Sequence, residues 1–236
     1  MSTSLVEELT GIGAIDPARY VRTTKFVLDL AGPSFLLPHN ERVKAEVANA
    51  GRLVGRAAFL QARRRNEFRS HVMGGVFSQE VADAVRQQVA SYERDMQERR
   101  DSIRDKLGST WSSNTARWWD AALPQIDDWT LDYMRASKTI LCLPDDETIW
   151  PPPRQLPTAW HAHAYFMARI ALNVGQNRRV SGSDLYDQSH YANAAYADLM
   201  ITDDRAFVET YQAIPDRPFA LESFREFAER LGVAGP

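Results

Sequence analysis

Acidic residues gather around one predicted helix and one predicted strand. Asp184 and Asp187 are three residues apart, so both project from one face of the helix that Ser183 begins as its N-cap. The apolar run Leu199–Ile201 is typical of a short buried parallel strand, and residues 202–204, Thr-Asp-Asp, follow it. Ligand sites in open α/β sheets lie at the carboxyl ends of strands. The pattern therefore predicts that three or four carboxylates meet at this edge.

Carboxylates packed this closely repel each other unless protons or a cation compensate. Mg²⁺ and Mn²⁺ are the cations that suit an all-oxygen set of ligands. The first interpretation is therefore an acidic metal pocket. The second is a capped helix with solvated acids followed by an Asp-Asp turn at the surface, because helix starts and turns are both enriched in Asp. Spacing alone leaves both interpretations open.

The same stretch, residues 183–207, resembles the C-terminal half of PIN-like nucleases. Their pattern is an Asp that opens a helix, an alanine-rich helix body, an apolar strand, and Thr-x-Asp followed by Phe or Leu. The matching positions are Asp187, Ala192, Ala194, Ala195, Leu199–Ile201, Thr202, Asp204 and Phe207. Further residues resemble a longer bacterial PIN-like branch, namely Asp184, His190, Tyr191, Tyr196 and Asp198.

The resemblance implies an α/β fold, with a small, mainly parallel sheet flanked by helices. Residues 1–236 would form a single PIN-like domain, with a helical insertion or lobe at residues 76–135. The implied activity is that of a metal-dependent endoribonuclease, a toxin or a defence effector. Catalysis would fall to Asp29, Asp187, Asp204 and Thr202. One or two Mg²⁺ or Mn²⁺ ions would be held by Asp29, Glu46, Asp184, Asp187 and Asp204.

Three arginines near the acidic segment are candidates for holding the phosphates of an RNA substrate, namely Arg169, Arg178 and Arg179. Salt bridges from these arginines to the acids are the equal alternative. A second basic group, Arg63, Arg64, Arg65 and Arg69, is read as the solvated end of a helix in preference to a phosphate-binding patch.

The first and second acids of the implied site come from the N-terminal part of the chain. Residues 23–30, TTKFVLDL, are β-branched and apolar, and they predict a strand that ends at Asp29. Glu46, in a helix predicted from Asn40 onward, is the candidate second acid, and Glu41 is its rival. An ordinary Asp at a strand end and a solvated Glu on a helix surface are the alternatives.

A long helix is predicted from Ser78 to about Gly108. Val85, Val89, Tyr92 and Met96 recur along it at a spacing close to a heptad. We expect this stripe to be buried, either within the chain or against a second subunit, so a homo-oligomer through residues 76–107 is a candidate assembly.

Composition narrows the function classes without choosing one. A net charge of −3 does not point to nucleic-acid binding, and the single Cys142 excludes an intramolecular disulfide and fits a reducing cytoplasm. No apolar run is long enough for a membrane span.

We expect RNA as the substrate and an inhibitory protein as a candidate partner. The alternatives are a catalytically inactive PIN-like scaffold and a helical interaction protein.

Overall fold

The computed structural model describes residues 16–31, 35–73, 79–107 and 115–233, and this part of the chain is mostly helical. Its α-helices are α1 (Pro17–Ala31), α2 (His39–Ala48), α3 (Ala62–Met73), α4 (Gln79–Leu107), α5 (Thr115–Ala136), α6 (Lys138–Leu141), α7 (Pro157–Gly175), α8 (Ser183–Ala194), α9 (Arg205–Ala213) and α10 (Phe224–Arg230). Short 3-10 turns lie at Gly55–Ala58, Glu147–Ile149 and Pro153–Gln155.

The sheet has two parallel strands, β1 (Leu199–Ile201) and β2 (Ala220–Glu222), which are connected through α9. Leu199 pairs with Ala220 and Ile201 with Glu222. A hydrogen bond from the Thr202 amide to the Glu222 carbonyl extends the pairing by one residue, at 3.0 Å. The predicted combination of helices with a small parallel sheet is confirmed, whereas the PIN-like fold stays a prediction.

Helix α7 is the centre of the molecule. It is apolar on all sides, as a fully enclosed helix is, and most of its residues are buried. Helices α4, α5, α8 and α9 all pack against it. The main core joins aromatic side chains from these elements, namely Trp119, Trp160, Tyr165, Tyr191, Phe207, Tyr211 and Phe219.

Helices α7 and α8 form a hairpin that has polar clusters at both ends. Near the start of α7, Thr158 meets Tyr196, which follows α8; both bond to the carboxylate of Glu46. Near the other end, Arg169 of α7 meets Asp184 in the first turn of α8. We call the first cluster the Glu46 end and the second, which also holds Asp187, the Asp187 end.

The strand predicted at residues 23–30 is wrong, because these residues belong to helix α1. The buried side chains Tyr20, Thr24 and Leu28 recur every four residues, which is the spacing of one helix face. A signal for the start of a helix precedes these residues. Asp16 accepts the Arg19 amide at 2.9 Å, and Pro17 fits the first helical position. Asp29 therefore lies on a helix and not at a strand end.

Residues 79–107 and 115–136 are helical, as predicted for the lobe at residues 76–135, of which 76–78 and 108–114 lie outside the described residues. Helix α5 is nevertheless part of the main core, because Trp119 and Ile126 are buried there. On α4, Val89, Tyr92 and Met96 are half-buried; the side chain of Val85 lies outside the description. Helix α4 packs on α7, and Tyr92 donates to Gln188 of α8 at 3.4 Å.

None of the helices in the described ranges combines the length and the apolar composition that crossing a membrane requires.

Candidate functional site

The carboxyl end of β1 fixes the position of Asp204. Its side chain caps α9 by accepting the Phe207 amide at 2.9 Å, and its own amide donates to the Thr202 hydroxyl at 3.0 Å. The Thr-x-Asp sequence is thus a compact turn between a strand and a helix. Asp204 remains exposed, so its carboxylate is held in place but open to solvent.

Asp187 projects from the first half of α8 into the same neighbourhood and is half-buried. Burial and the negative charge of Asp204 raise the pKa of Asp187 to about 7. Asp184 adds a smaller repulsion, while His190 and Arg169 act in the opposite direction. The negative charge of Asp204 therefore acts on Asp187 and disfavours its ionised form.

Asp184 is committed to a buried salt bridge. Its Oδ1 accepts from Arg169 Nε at 2.8 Å, and its Oδ2 accepts the Ser181 amide at 3.0 Å. Asp184 is 2% exposed and Arg169 is 8% exposed. This corrects two predictions at once. Asp184 is not a free metal ligand, because both of its carboxylate oxygens already accept hydrogen bonds at the α7–α8 connection. Arg169 is too enclosed to contact a polymeric substrate, so the alternative prediction for Arg169, a salt bridge, is right.

Two tyrosines and one histidine that the sequence did not single out as site residues also surround Asp187. Burial and the charges of Asp184 and Asp187 raise the pKa of Tyr92, and burial and the charge of Asp187 raise that of Tyr165. His190 lies one turn along α8 from Asp187, and its positive form favours the Asp187 carboxylate. Its spacing of three from Asp187 was the available signal for His190.

The remaining predicted phosphate ligands are at the surface. Arg178 Nη1 pairs with Glu209 of α9 at 3.0 Å. Arg179 is exposed, and it has no ion-pair partner among the described residues. Of the three arginines, Arg179 is therefore the one that no ion pair within the described residues engages.

Asp29 is not brought to this site. It is exposed on α1 and pairs with Arg69 of α3 at 3.0 Å. Within the described ranges, no three His, Cys, Asp or Glu side chains lie close enough together to hold a metal ion. The prediction that Asp29, Asp187 and Asp204 converge is therefore wrong. The error comes from the strand wrongly predicted at residues 23–30, because helix α1 places Asp29 beside α3 and not at the sheet edge.

Glu46 lies at the other end of the α7–α8 hairpin and is fully buried. Its carboxylate accepts from the Thr158 hydroxyl at 2.5 Å, from the Thr158 amide at 3.1 Å and from the Tyr196 hydroxyl at 2.6 Å. Burial raises its pKa, while these bonds and the nearby Arg42 act against that rise. Glu46 therefore caps the start of α7 from within the protein, and the surface interpretation is wrong. Its rival Glu41 is partly exposed and pairs with Arg64 at 2.7 Å.

Arg42 completes the Glu46 end. It is 1% exposed and donates from Nη2 to Asn193 of α8. Burial lowers its pKa to about 10, and the Glu46 carboxylate counteracts that effect. In the described part of the chain, its Nε and Nη1 have no hydrogen-bond partner. The Glu46 charge is thus the main compensation for a cation that water does not reach.

Comparison with models of protein families matched none, and comparisons with curated proteins and with solved structures returned no match either.

Proposed function

We propose that this protein is a metal-dependent endoribonuclease whose reacting groups lie at the Asp187 end. The observation that carries the proposal is that the charge of the exposed Asp204, which is held in the turn after β1, disfavours the ionised form of the half-buried Asp187. Such a pair is unfavourable unless a cation or a proton joins it. An exposed Asp204 leaves one side of the pair open to a phosphate chain.

A pair of carboxylates is a ligand set through which Mg²⁺ binds in nucleotide-processing sites. There, one or two carboxylates hold the ion, while water and substrate phosphates supply the other ligands. Asp187 and Asp204 would hold it, and neither Asp29 nor Asp184 is required. When bound, such an ion supplies a water of lowered pKa and stabilises negative charge on the scissile phosphate.

The protein's own groups have separate tasks in this proposal. The Thr202 hydroxyl and the Phe207 amide fix the orientation of Asp204. His190, one turn along α8, favours the ionised form of Asp187 when it is protonated. Arg179, which is exposed, binds a phosphate of the RNA beside the site. Arg169 contacts Asp184, holding the first turn of α8 against α7, and its charge also favours the ionised form of Asp187.

A catalytically inactive scaffold is the second candidate function. It is favoured by the use of Asp184 and Glu46 as structural acids and by the surface pair of Asp29 with Arg69. In that case the Asp187–Asp204 pair would bind no divalent ion of consequence, and the chain would act by binding a partner.

End-labelled single-stranded RNA separates the two candidates. Wild-type protein should cleave it with Mn²⁺ and not with EDTA, and Asp187→Asn and Asp204→Asn should each abolish cleavage. Asp198→Asn is the matched control, because Asp198 is an exposed acid just before β1. Cleavage that survives in Asp187→Asn would exclude this site. A wild type that cleaves no RNA with Mn²⁺ would favour the scaffold.

A further inference from the structure

The charge of this chain is divided very unevenly. Residues 16–73 hold eleven Lys and Arg against five Asp and Glu, which is a net charge of +6. Since the whole chain carries −3, the rest carries −9. The weak overall charge therefore conceals a basic N-terminal region. A local basic face is the electrostatic footprint of a nucleic-acid interface, whatever the total charge.

Helix α1 concentrates part of this charge on one face. Arg19, Arg22 and Lys25 follow one another at a spacing of three, Phe26 is four residues after Arg22, and all four are exposed. Phe26 is 63% exposed, although it is a large apolar side chain. The opposite face, with Tyr20, Thr24 and Leu28, is buried. The exposed side of α1 is thus a row of cations with an aromatic ring among them, and we call it the α1 face.

The next feature of the α1 face is that its cations form no ion pairs within the described residues. Within the described residues, Arg19, Arg22 and Lys25 have no ion-pair partner. Helix α3 lies beside α1, because Arg69 pairs with Asp29 and also donates to the Leu28 carbonyl at 3.4 Å. The same helix carries Arg63, whose side chain is 91% exposed and whose partner Glu67 is also at the surface. Exposed pairs of this kind are weak and yield readily to a phosphate.

We propose that the α1 face binds the backbone of single-stranded RNA. Arg19, Arg22 and Lys25 would contact successive phosphates, and Phe26 would stack on a base, which is how sequence-tolerant binders of single strands combine charge with aromatic side chains. A lipid surface is a poorer match, because Val21 and Phe26 are the only exposed large apolar residues among the described side chains of this helix, and interfacial helices bury a broad apolar face. The inference rests on the proposed function for the identity of the polyanion.

Fluorescence anisotropy with a labelled single-stranded RNA tests this in EDTA, where cleavage does not occur. The triple variant Arg19→Gln, Arg22→Gln, Lys25→Gln should bind roughly tenfold or more weakly at low salt, and its salt dependence should be shallower by about two, at about 0.7 per lost phosphate contact. Phe26→Ala alone should weaken binding by about fivefold or more. Circular dichroism verifies that each variant is folded.

The matched control also removes two arginines and one lysine, but at other positions. It is the triple variant Arg94→Gln, Arg135→Gln, Lys138→Gln. These cations are solvent-accessible on α4, α5 and α6. We expect RNA affinity and salt dependence close to wild type in this control. Equal losses in both triple variants would show only an effect of net charge and would overturn the proposal.

Two further arms exclude other occupants of the α1 face. Phosphatidylserine vesicles should bind no better than phosphatidylcholine vesicles, and sedimentation should give the same mass for wild type and the triple variant. Vesicle binding that depends on the three cations, or an oligomer that they hold together, without an effect on RNA, would overturn the proposal. RNA binding that depends on α1 in a protein that cleaves nothing would leave this inference standing and defeat only the proposed nuclease.

Discussion

Glu46 and Asp187 are carboxylates at opposite ends of the α7–α8 hairpin, and burial raises the pKa of both. Their neighbours differ in kind. Glu46 is met by the hydroxyls of Thr158 and Tyr196 and by the cation of Arg42. Asp187 is met by a second carboxylate, Asp204, which raises its pKa further. One end supplies donors to its carboxylate and the other supplies repulsion.

This difference separates a structural acid from a candidate reactive acid. A buried carboxylate that receives donors and a cation already has its partners, and removing it leaves those partners unpaired. A carboxylate that faces another carboxylate stores unfavourable electrostatic energy, which a proton or a cation relieves. The acids of this chain are therefore best sorted by what surrounds them and not by their order along the sequence.

The largest predicted effect is the loss of the Glu46 carboxylate. Glu46→Ala should lower the free energy of unfolding by about 3–5 kcal/mol, because it leaves the buried Arg42 charge uncompensated and three donors of Thr158 and Tyr196 unpaired. Urea unfolding at pH 7 measures this. Glu41→Gln, which breaks only the exposed pair with Arg64, is the control and should change stability by less than about 1 kcal/mol. Similar losses in both would contradict a structural role for the Glu46 end.

The second effect concerns the Asp184–Arg169 salt bridge. Asp184→Asn should destabilise the protein by about 2–4 kcal/mol, because Arg169 then keeps a buried charge without its partner. The stabilisation by Mn²⁺, measured as the shift in melting temperature on adding the ion, should survive in this variant. Loss of the Mn²⁺ shift in Asp184→Asn would indicate that Asp184 is a metal ligand. It would contradict the separation of structural acids from candidate reactive acids.

The third effect has the opposite sign. Because the folded-state pKa of Asp187, about 7, exceeds the ordinary value of about 4, the stability that this group contributes is full below pH 4 and is lost as the pH rises through 7. In EDTA at pH 8, Asp187→Asn should therefore be more stable than wild type by about 1–3 kcal/mol. Urea unfolding between pH 4 and 8 checks this.

Asp198→Asn serves as the comparison for that experiment, because it removes an exposed acid close to the same strand. It should follow the pH profile of the wild type. If Asp187→Asn also followed that profile, Asp187 would be a solvated acid and the contrast with Glu46 would disappear.

The smallest effect is expected at Asp29. Asp29→Asn should change stability by less than about 1 kcal/mol, since the pair with Arg69 is exposed on both sides. It should leave both the Mn²⁺ shift and RNA cleavage as in wild type. A variant that cleaved no RNA while remaining folded would restore Asp29 to the site.

The C-terminal part of the site was predictable because its signals are local. Acids at a spacing of three, a short apolar run and Thr-x-Asp define a helix, a strand and a turn within residues 183–207, and the structure has all three. The predicted N-cap is wrong by one residue, because Gly182 is the N-cap and Ser183 is the first helical residue. The pattern also placed Asp187 near Asp204. Whether a given acid would meet a cation or another acid depended on α7, which supplies Arg169, and no local signal specifies that contact.

The predictions for the N-terminal part of the chain failed for a different reason. Residues 23–30 are rich in β-branched and apolar side chains, and strand propensity outweighed the spacing of four between Tyr20, Thr24 and Leu28. The Asp16-Pro17 start signal was the better guide. For Glu46, the helix was predicted but its burial was not, because Thr158 and Tyr196 lie more than a hundred residues away.

The most direct test of the account is the melting temperature of wild type, Asp187→Asn and Asp29→Asn at pH 8, in EDTA and in millimolar Mn²⁺. An ion that binds only the folded Asp187–Asp204 pair should stabilise it by about 2.7 kcal/mol at a hundredfold excess over Kd. We predict a clear Mn²⁺-dependent rise in wild type and in Asp29→Asn, and none in Asp187→Asn, whose melting temperature in EDTA is already higher. Identical curves for wild type and Asp187→Asn in both conditions would contradict the account.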